Sequence, residues 1–198
     1  TNKSAGENAA NSAYTIPFTV VTGRTLIIQV SYGNVITGIT GISDSGVNTW
    51  VEDYSDTSPT GHSRKLYRCQ TVGTVPTTVT VTGTAGTLAY WIYEITGLAT
   101  VSPLESATTV AGVSGTSHSA AYTTLSAEAL VILTAICNSA KGTHTATVPF
   151  TRILMSRATH LGEYLEDAGA AGTYSAAYTT SNTVTPQNLM IVYKAFSS

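Results

Sequence analysis

The chain has 198 residues, only 10% of them charged and 42% hydrophobic, with a formal net charge of -2. An ordinary globular protein carries roughly 25% charged residues, so this surface is wetted mainly by hydroxyls and backbone amides. The near-neutral balance speaks against a nucleic-acid backbone as partner, and the absence of an apolar run near the ~20 residues of a membrane span speaks against membrane insertion.

Residues 1–12 are polar and poor in hydrophobes. They read as a flexible N-terminal arm in which Thr1, Asn2, Lys3, Asn8 and Asn11 offer polar groups that gain order against a neighbouring subunit. From residue 13 onward apolar residues alternate or run in short blocks bounded by Gly, Pro, Asn, Asp and Ser, which marks strands and turns rather than helices. Turn residues recur about every 8–12 positions, the spacing of an antiparallel sandwich. Strands are expected at Tyr14–Val20, Thr25–Tyr32, Gly38–Ser43, Thr49–Tyr54, Arg64–Gln70 and Thr77–Thr82. Further strands are expected at Thr87–Thr96, Ala129–Asn138, Phe150–Ser156, Tyr174–Thr180 and Asn188–Phe196.

Four of these segments are apolar on both faces: Leu26–Val30, Leu88–Tyr93, Leu130–Leu133 and Leu189–Tyr193. Strands of that kind sit centrally and are covered on both sides. The last of them ends the chain, so the C-terminus is expected to be locked into a sheet.

A faint internal repeat links Thr25–Val30 with Ala129–Thr134, and Thr80-Val81-Thr82 before Leu88 with Thr183-Val184-Thr185 before Leu189. It reads as two quasi-equivalent layers of one core, with Gly97–Ser119 as a crossing connection inside a single domain of residues 13–198. Cys69 and Cys137 each continue an alternating apolar series. Two small buried thiols and one disulfide both fit that pattern.

Five motifs occur in order along nearly the whole chain: Gly23 to Tyr32, Ile42-Ser43-Asp44-Ser45-Gly46-Val47-Asn48-Thr49-Trp50, Leu66-Tyr67-Arg68-Cys69, Glu94-Ile95-Thr96-Gly97-Leu98 with Pro103 to Ala107, and the terminal Leu189 to Phe196. Together they resemble a loosely defined group of jelly-roll-like β-sandwich domains found in bacterial surface and secreted proteins and in phage structural proteins. The resemblance implies a two-sheet antiparallel fold and no catalytic residues. In the second motif the group has its glycine directly before the asparagine, whereas here Val47 stands between Gly46 and Asn48.

Candidate chemistry is sparse. A nucleophilic hydrolase needs a serine on a sharp turn with a histidine and an acid in support, and Gly112-Val113-Ser114-Gly115 near His118 reads instead as a Gly/Ser connection. Glycosidase work needs two carboxylates flanking one bond. Glu52, Asp53, Asp56, Glu163, Glu166 and Asp167 read as polar-loop residues, and Glu94 as a structural carboxylate within an apolar strand. Asp44, Asn48, Asp53 and Asp56, with Glu52, offer hard oxygen ligands suited to calcium, and Asp and Asn are also what turns require. His62, His118, His144 and His160 stand isolated among small polar residues and read as solvent-exposed. Trp50 and Tyr54 are the candidates for stacking on a sugar ring.

The expectation from all of this is a non-enzymatic structural module of a virion or cell surface that works as a homo-oligomer, without a cofactor unless calcium is bound. The alternative is a carbohydrate-binding adhesion module, which requires an exposed aromatic platform. A carbohydrate-active enzyme stands third.

Overall fold

The computed structural model describes residues 2–8, 13–18, 20–32, 38–57, 62–70, 72–84, 86–99, 101–153 and 157–195. Among them there is no helix, and every sheet is antiparallel. The chain divides into two compact units, Thr1–Thr96 and Gly97–Ser198.

In the first unit the strands are β1 (Asn2–Asn8), β2 (Ala13–Pro17), β3 (Thr25–Tyr32), β4 (Ile39–Asp44), β5 (Val51–Thr57), β6 (Ser63–Cys69), β7 (Thr78–Gly83) and β8 (Leu88–Ile95). They form a five-stranded sheet in the order β1-β8-β3-β6-β5 and a three-stranded sheet in the order β2-β7-β4. The second unit holds β9 (Leu104–Ala111), β10 (Gly115–Thr124), β11 (Leu130–Cys137), β12 (His144–Ala146), β13 (Thr151–Ile153), β14 (His160–Leu165), β15 (Gly172–Val184) and β16 (Pro186–Tyr193). Its sheets run β9-β16-β11-β14-β13 and β10-β15-β12.

Adding eight to each strand of the first unit reproduces the second unit strand for strand. In both, the first strand pairs with the eighth, the second with the seventh and the third with the sixth, which is the winding of a jelly roll. The fifth strand departs from it by joining the sixth instead of the fourth.

Each unit has its own core. In the first, Tyr14 and Ile16 from β2 and Val79 and Val81 from β7 pack against Leu26, Ile28 and Val30 of β3. In the second, Ala120 and Tyr122 of β10 and Tyr178 of β15 pack against Val131, Leu133 and Ala135 of β11. The internal repeat thus corresponds to two sandwiches rather than two layers of one core. Each half has enough alternating strands to bury its own apolar face, and among the described residues no strand is lent to the other half's sheets.

The double-faced runs behave as their composition requires. β3 and β11 are buried along their whole length, and β8 and β16 at all positions but one each. β16 lies between β11 and β9, so the final strand is central to its sheet.

Two expectations are corrected. Residues 2–8 are not an arm but strand β1, paired antiparallel with β8 from Asn2 opposite Glu94, through Lys3 opposite Tyr93, to Asn8 opposite Leu88. Thr1 and Asn11 lie outside the described residues. An edge strand draws its stability from backbone pairing and needs no apolar alternation, so a polar sequence suffices. Gly6 leaves room for the end of the Tyr90 side chain: a Cβ there would stand 2.7 Å from the Tyr90 hydroxyl. The Gly97–Ser119 stretch is likewise no plain connection, because it supplies β9 and the start of β10. β9 is an edge strand of half-buried small residues, and its faces carry too little contrast to show an alternation.

Cys69 and Cys137 are separate buried thiols, each in its own unit's core.

Candidate functional site

The loop between β4 and β5 carries the chain from the three-stranded to the five-stranded sheet of the first unit and is densely hydrogen-bonded. Asp44 ends β4, and its Oδ1 accepts the Gly46 amide at 2.7 Å, the Asn48 amide at 3.3 Å and the Asn48 side-chain N–H at 3.0 Å. Its Oδ2 accepts the indole N–H of Trp50 at 2.6 Å. This is an Asx-type turn in which one carboxylate replaces four water contacts.

Asn48 ties the loop to the segment before β7. Its Oδ1 accepts the amides of Gly73 at 2.9 Å and Thr74 at 3.3 Å, and its Nδ2 donates to the Thr74 carbonyl at 2.9 Å. Ser45 adds a second anchor by accepting the Thr77 amide at 2.9 Å. Only glycine fits at position 46, where a Cβ would lie 2.4 Å from the Thr74 carbonyl oxygen.

What this framework presents is Val47, at φ 56° and 91% exposed. A β-branched residue in the left-handed region is a conformational outlier held by its surroundings. Val47, Asn48, Thr49, Val51, Gln70 and Thr74 line a concavity of about 500 Å³. Val51 is itself 45% exposed. The lining mixes valines with amide and hydroxyl side chains and holds no ionisable group, so it is suited to contact by shape and hydrogen bonding and not to acid–base chemistry.

The sequence candidates fall into place around this loop. Trp50 is half-buried and packs against the first unit's core. Tyr54 is half-buried and its hydroxyl donates to Asp56 at 3.2 Å. Asp44 and Asn48 meet, but Asp53 and Asp56 do not join them. Asp53, at a bulge in β5, accepts Arg68 Nε at 2.8 Å and Nη2 at 3.0 Å. Asp56 accepts Arg64 Nε at 2.8 Å and its Nη2 as well, and Glu52 accepts Lys65 at 2.8 Å. These carboxylates form an ion-pair ladder between β5 and β6, each facing a cation. Among the described residues no group of three or more His, Cys, Asp or Glu side chains is arranged to hold a metal. Glu94 is buried and structural, accepting the Val21 amide at 2.6 Å.

The second unit holds a polar cluster that the sequence reading misplaced. His118, His144 and His160 are buried, not exposed, and Glu163 lies within β14, not in a loop. His144 Nε2 and Glu163 Oε1 are 2.6 Å apart, and Glu163 Oε2 is buried with no hydrogen-bond partner. Burial raises the Glu163 carboxyl above its ordinary range, and its hydrogen bond with His144 opposes that rise. The Tyr178 ring lies 5.0 Å from His118 and edge-on to His144 at 5.6 Å, and its hydroxyl donates to Asn188 at 2.8 Å. The series Leu161-x-Glu163-x-Leu165 carried the clue, since strand alternation puts all three on one face.

No protein-family model matches the chain, and no curated protein matches it.

Proposed function

We propose that this chain is a non-enzymatic structural module of a virion or cell surface that acts through assembly into a homo-oligomer or a larger protein array. The observation that carries the reading is the composition of the exposed faces of the two three-stranded sheets. In the first unit that face presents Ala13, Thr15, Pro17, Thr80, Thr82 and Ser43. In the second it presents Ser117, Ser119 and Thr123 on β10, opposite Thr179, Ala177 and Thr173 on β15. Both faces are pleated and lack charge along these rows, and hydroxyls satisfy one another, as Thr123 and Thr173 do at 3.1 Å.

A face without ions docks against another protein without the desolvation cost of a charge, and the buried centres of protein interfaces are depleted in charged residues for that reason. The carboxylates of β5, which would carry acid–base work in an enzyme, are each held by a cation.

Light scattering on the full chain across a concentration series, paired with a glycan array, tests the reading. Association that is lost when charges replace Thr15 and Thr80, or Ser119 and Ala177, supports it. A strictly monomeric chain that binds one glycan class overturns it in favour of an adhesion module.

A further inference from the structure

Glu163 sits on β14 of the five-stranded sheet and His144 on β12 of the three-stranded sheet, so their 2.6 Å contact crosses the second unit's sandwich. Both side chains are almost wholly buried. We propose that this contact is a proton-operated clasp between the two sheets of the second unit, closed while Glu163 carries its proton and loosened when that proton leaves to solvent.

In the closed state the Glu163 O–H donates to His144 Nε2, and the pair is neutral. Loss of the proton leaves a carboxylate at a wholly buried position, with Oε2 lacking a hydrogen-bond partner and with His144 obliged to change tautomer before it can donate an N–H. A buried charge that is incompletely paired is the costly arrangement. The sheet bearing β12 is short there, three residues paired only to β15, so the His144–Glu163 contact is one of a small set of cross-sheet contacts at that end, beside that of Arg152 with the His144 carbonyl.

The ionisable and charged groups around the pair are few. Arg152 stands opposite Glu163 on β13 and donates to the His144 carbonyl. Lys141 lines the adjoining cavity of about 240 Å³ and donates to the Arg157 carbonyl at 2.7 Å. Tyr178 packs on His144 from β15, with its hydroxyl pushed well above its ordinary value by burial. Cys137 at the end of β11 is pushed up to about 11 by burial. Both stay neutral through the physiological range.

His118, on the other side of Tyr178, acts in the opposite sense. Burial lowers its value, against the carbonyls of Val113 and Gly115, which raise it. Its contribution is full above the ordinary histidine value and is lost as pH falls. A carboxyl raised on folding contributes stability that is full below its unfolded value and lost as pH rises through its folded value. The two limits have opposite slopes, and a variant at one position isolates its own.

The experiment is urea unfolding of the full chain from about pH 5 to about pH 9, wild type beside Glu163→Gln, which keeps the shape and cannot ionise. The folding constant of the wild type is expected to fall relative to the variant as pH rises, by about tenfold for each unit by which folding raises the carboxyl. A wild-type-to-variant ratio that stays constant across the range overturns the clasp. Should the variant fail to fold, infrared titration of the wild type decides. A protonated-acid carbonyl band that persists well above the ordinary carboxylate range and disappears on unfolding supports the clasp, and complete ionisation of every carboxyl at about pH 5 overturns it.

Discussion

Asp44 and Trp50 are joined by a 2.6 Å hydrogen bond from the indole N–H to Oδ2, and this bond turns the most conspicuous aromatic of the first unit into a strut. The other oxygen of the same carboxylate closes the turn that displays Val47. Asp44→Ala strips the acceptor from four donors and is expected to cost about 1–3 kcal/mol. Asp44→Asn, which retains one acceptor oxygen, is expected to cost less. Urea unfolding followed by tryptophan fluorescence checks the order, and an alanine variant as stable as wild type would show that water replaces the carboxylate at no cost.

The β5–β6 ladder offers an internal comparison. Arg68 and Asp53 are 11% and 6% exposed and bonded through two nitrogens, whereas Lys65 and Glu52 are 22% and 39% exposed. Removing one partner of a buried pair strands the other, so Asp53→Ala is expected to cost about 3 kcal/mol. Glu52→Ala is expected to cost under about 1 kcal/mol and to lose even that in high salt. Equal effects at the two sites would mean that solvent screens both pairs alike.

The close approach of Gly6 to Tyr90 predicts that Gly6→Val displaces β1 from the edge of β8. The overpacking is expected to cost about 1–3 kcal/mol and to abolish amide exchange protection along Lys3–Asn8. Adding Tyr90→Ala should restore the protection. Deletion of the first twelve residues should lower the melting temperature, because it bares the β8 edge. Unchanged stability after that deletion would show that β1 adds nothing to the sheet.

Cys137, with its thiol pushed up to about 11 by burial, is expected to resist alkylation in the folded chain at neutral pH and to react at once in denaturant. Cys69 is also buried and forms no disulfide, and is expected to behave alike. Titration with a chromogenic disulfide reagent before and after unfolding counts the thiols, and rapid labelling of either one in the native protein would show that its strand opens.

What the sequence determined by itself is the set of strands whose burial leaves no choice of residue. β3, β8, β11 and β16 are buried on both faces, so each must be written as an unbroken apolar run, and such a run is visible without coordinates. Cys69 and Cys137 were legible as core positions for the same reason, because strand alternation fixes the face. β1, β9, β10 and β12 were not legible, since edge strands and short strands are held by backbone hydrogen bonds, which every residue but proline can make; β14 was missed too, because His160, Gly162 and Glu163 interrupt its apolar pattern.

The partition into two units was decided only in three dimensions. The repeat was visible in Thr25–Val30 and Ala129–Thr134, yet whether such halves share one core depends on which strands pair, a long-range choice that periodicity does not record. The same holds for the candidate sites. Asp44 and Asn48 are four residues apart and their turn could be foreseen, but Asp53 and Asp56 were drawn away by Arg68 and Arg64 across the β5–β6 ladder. Glu163 and His144 lie nineteen positions apart on different sheets, and only the folding of one sheet over the other brings a buried acid to a buried base.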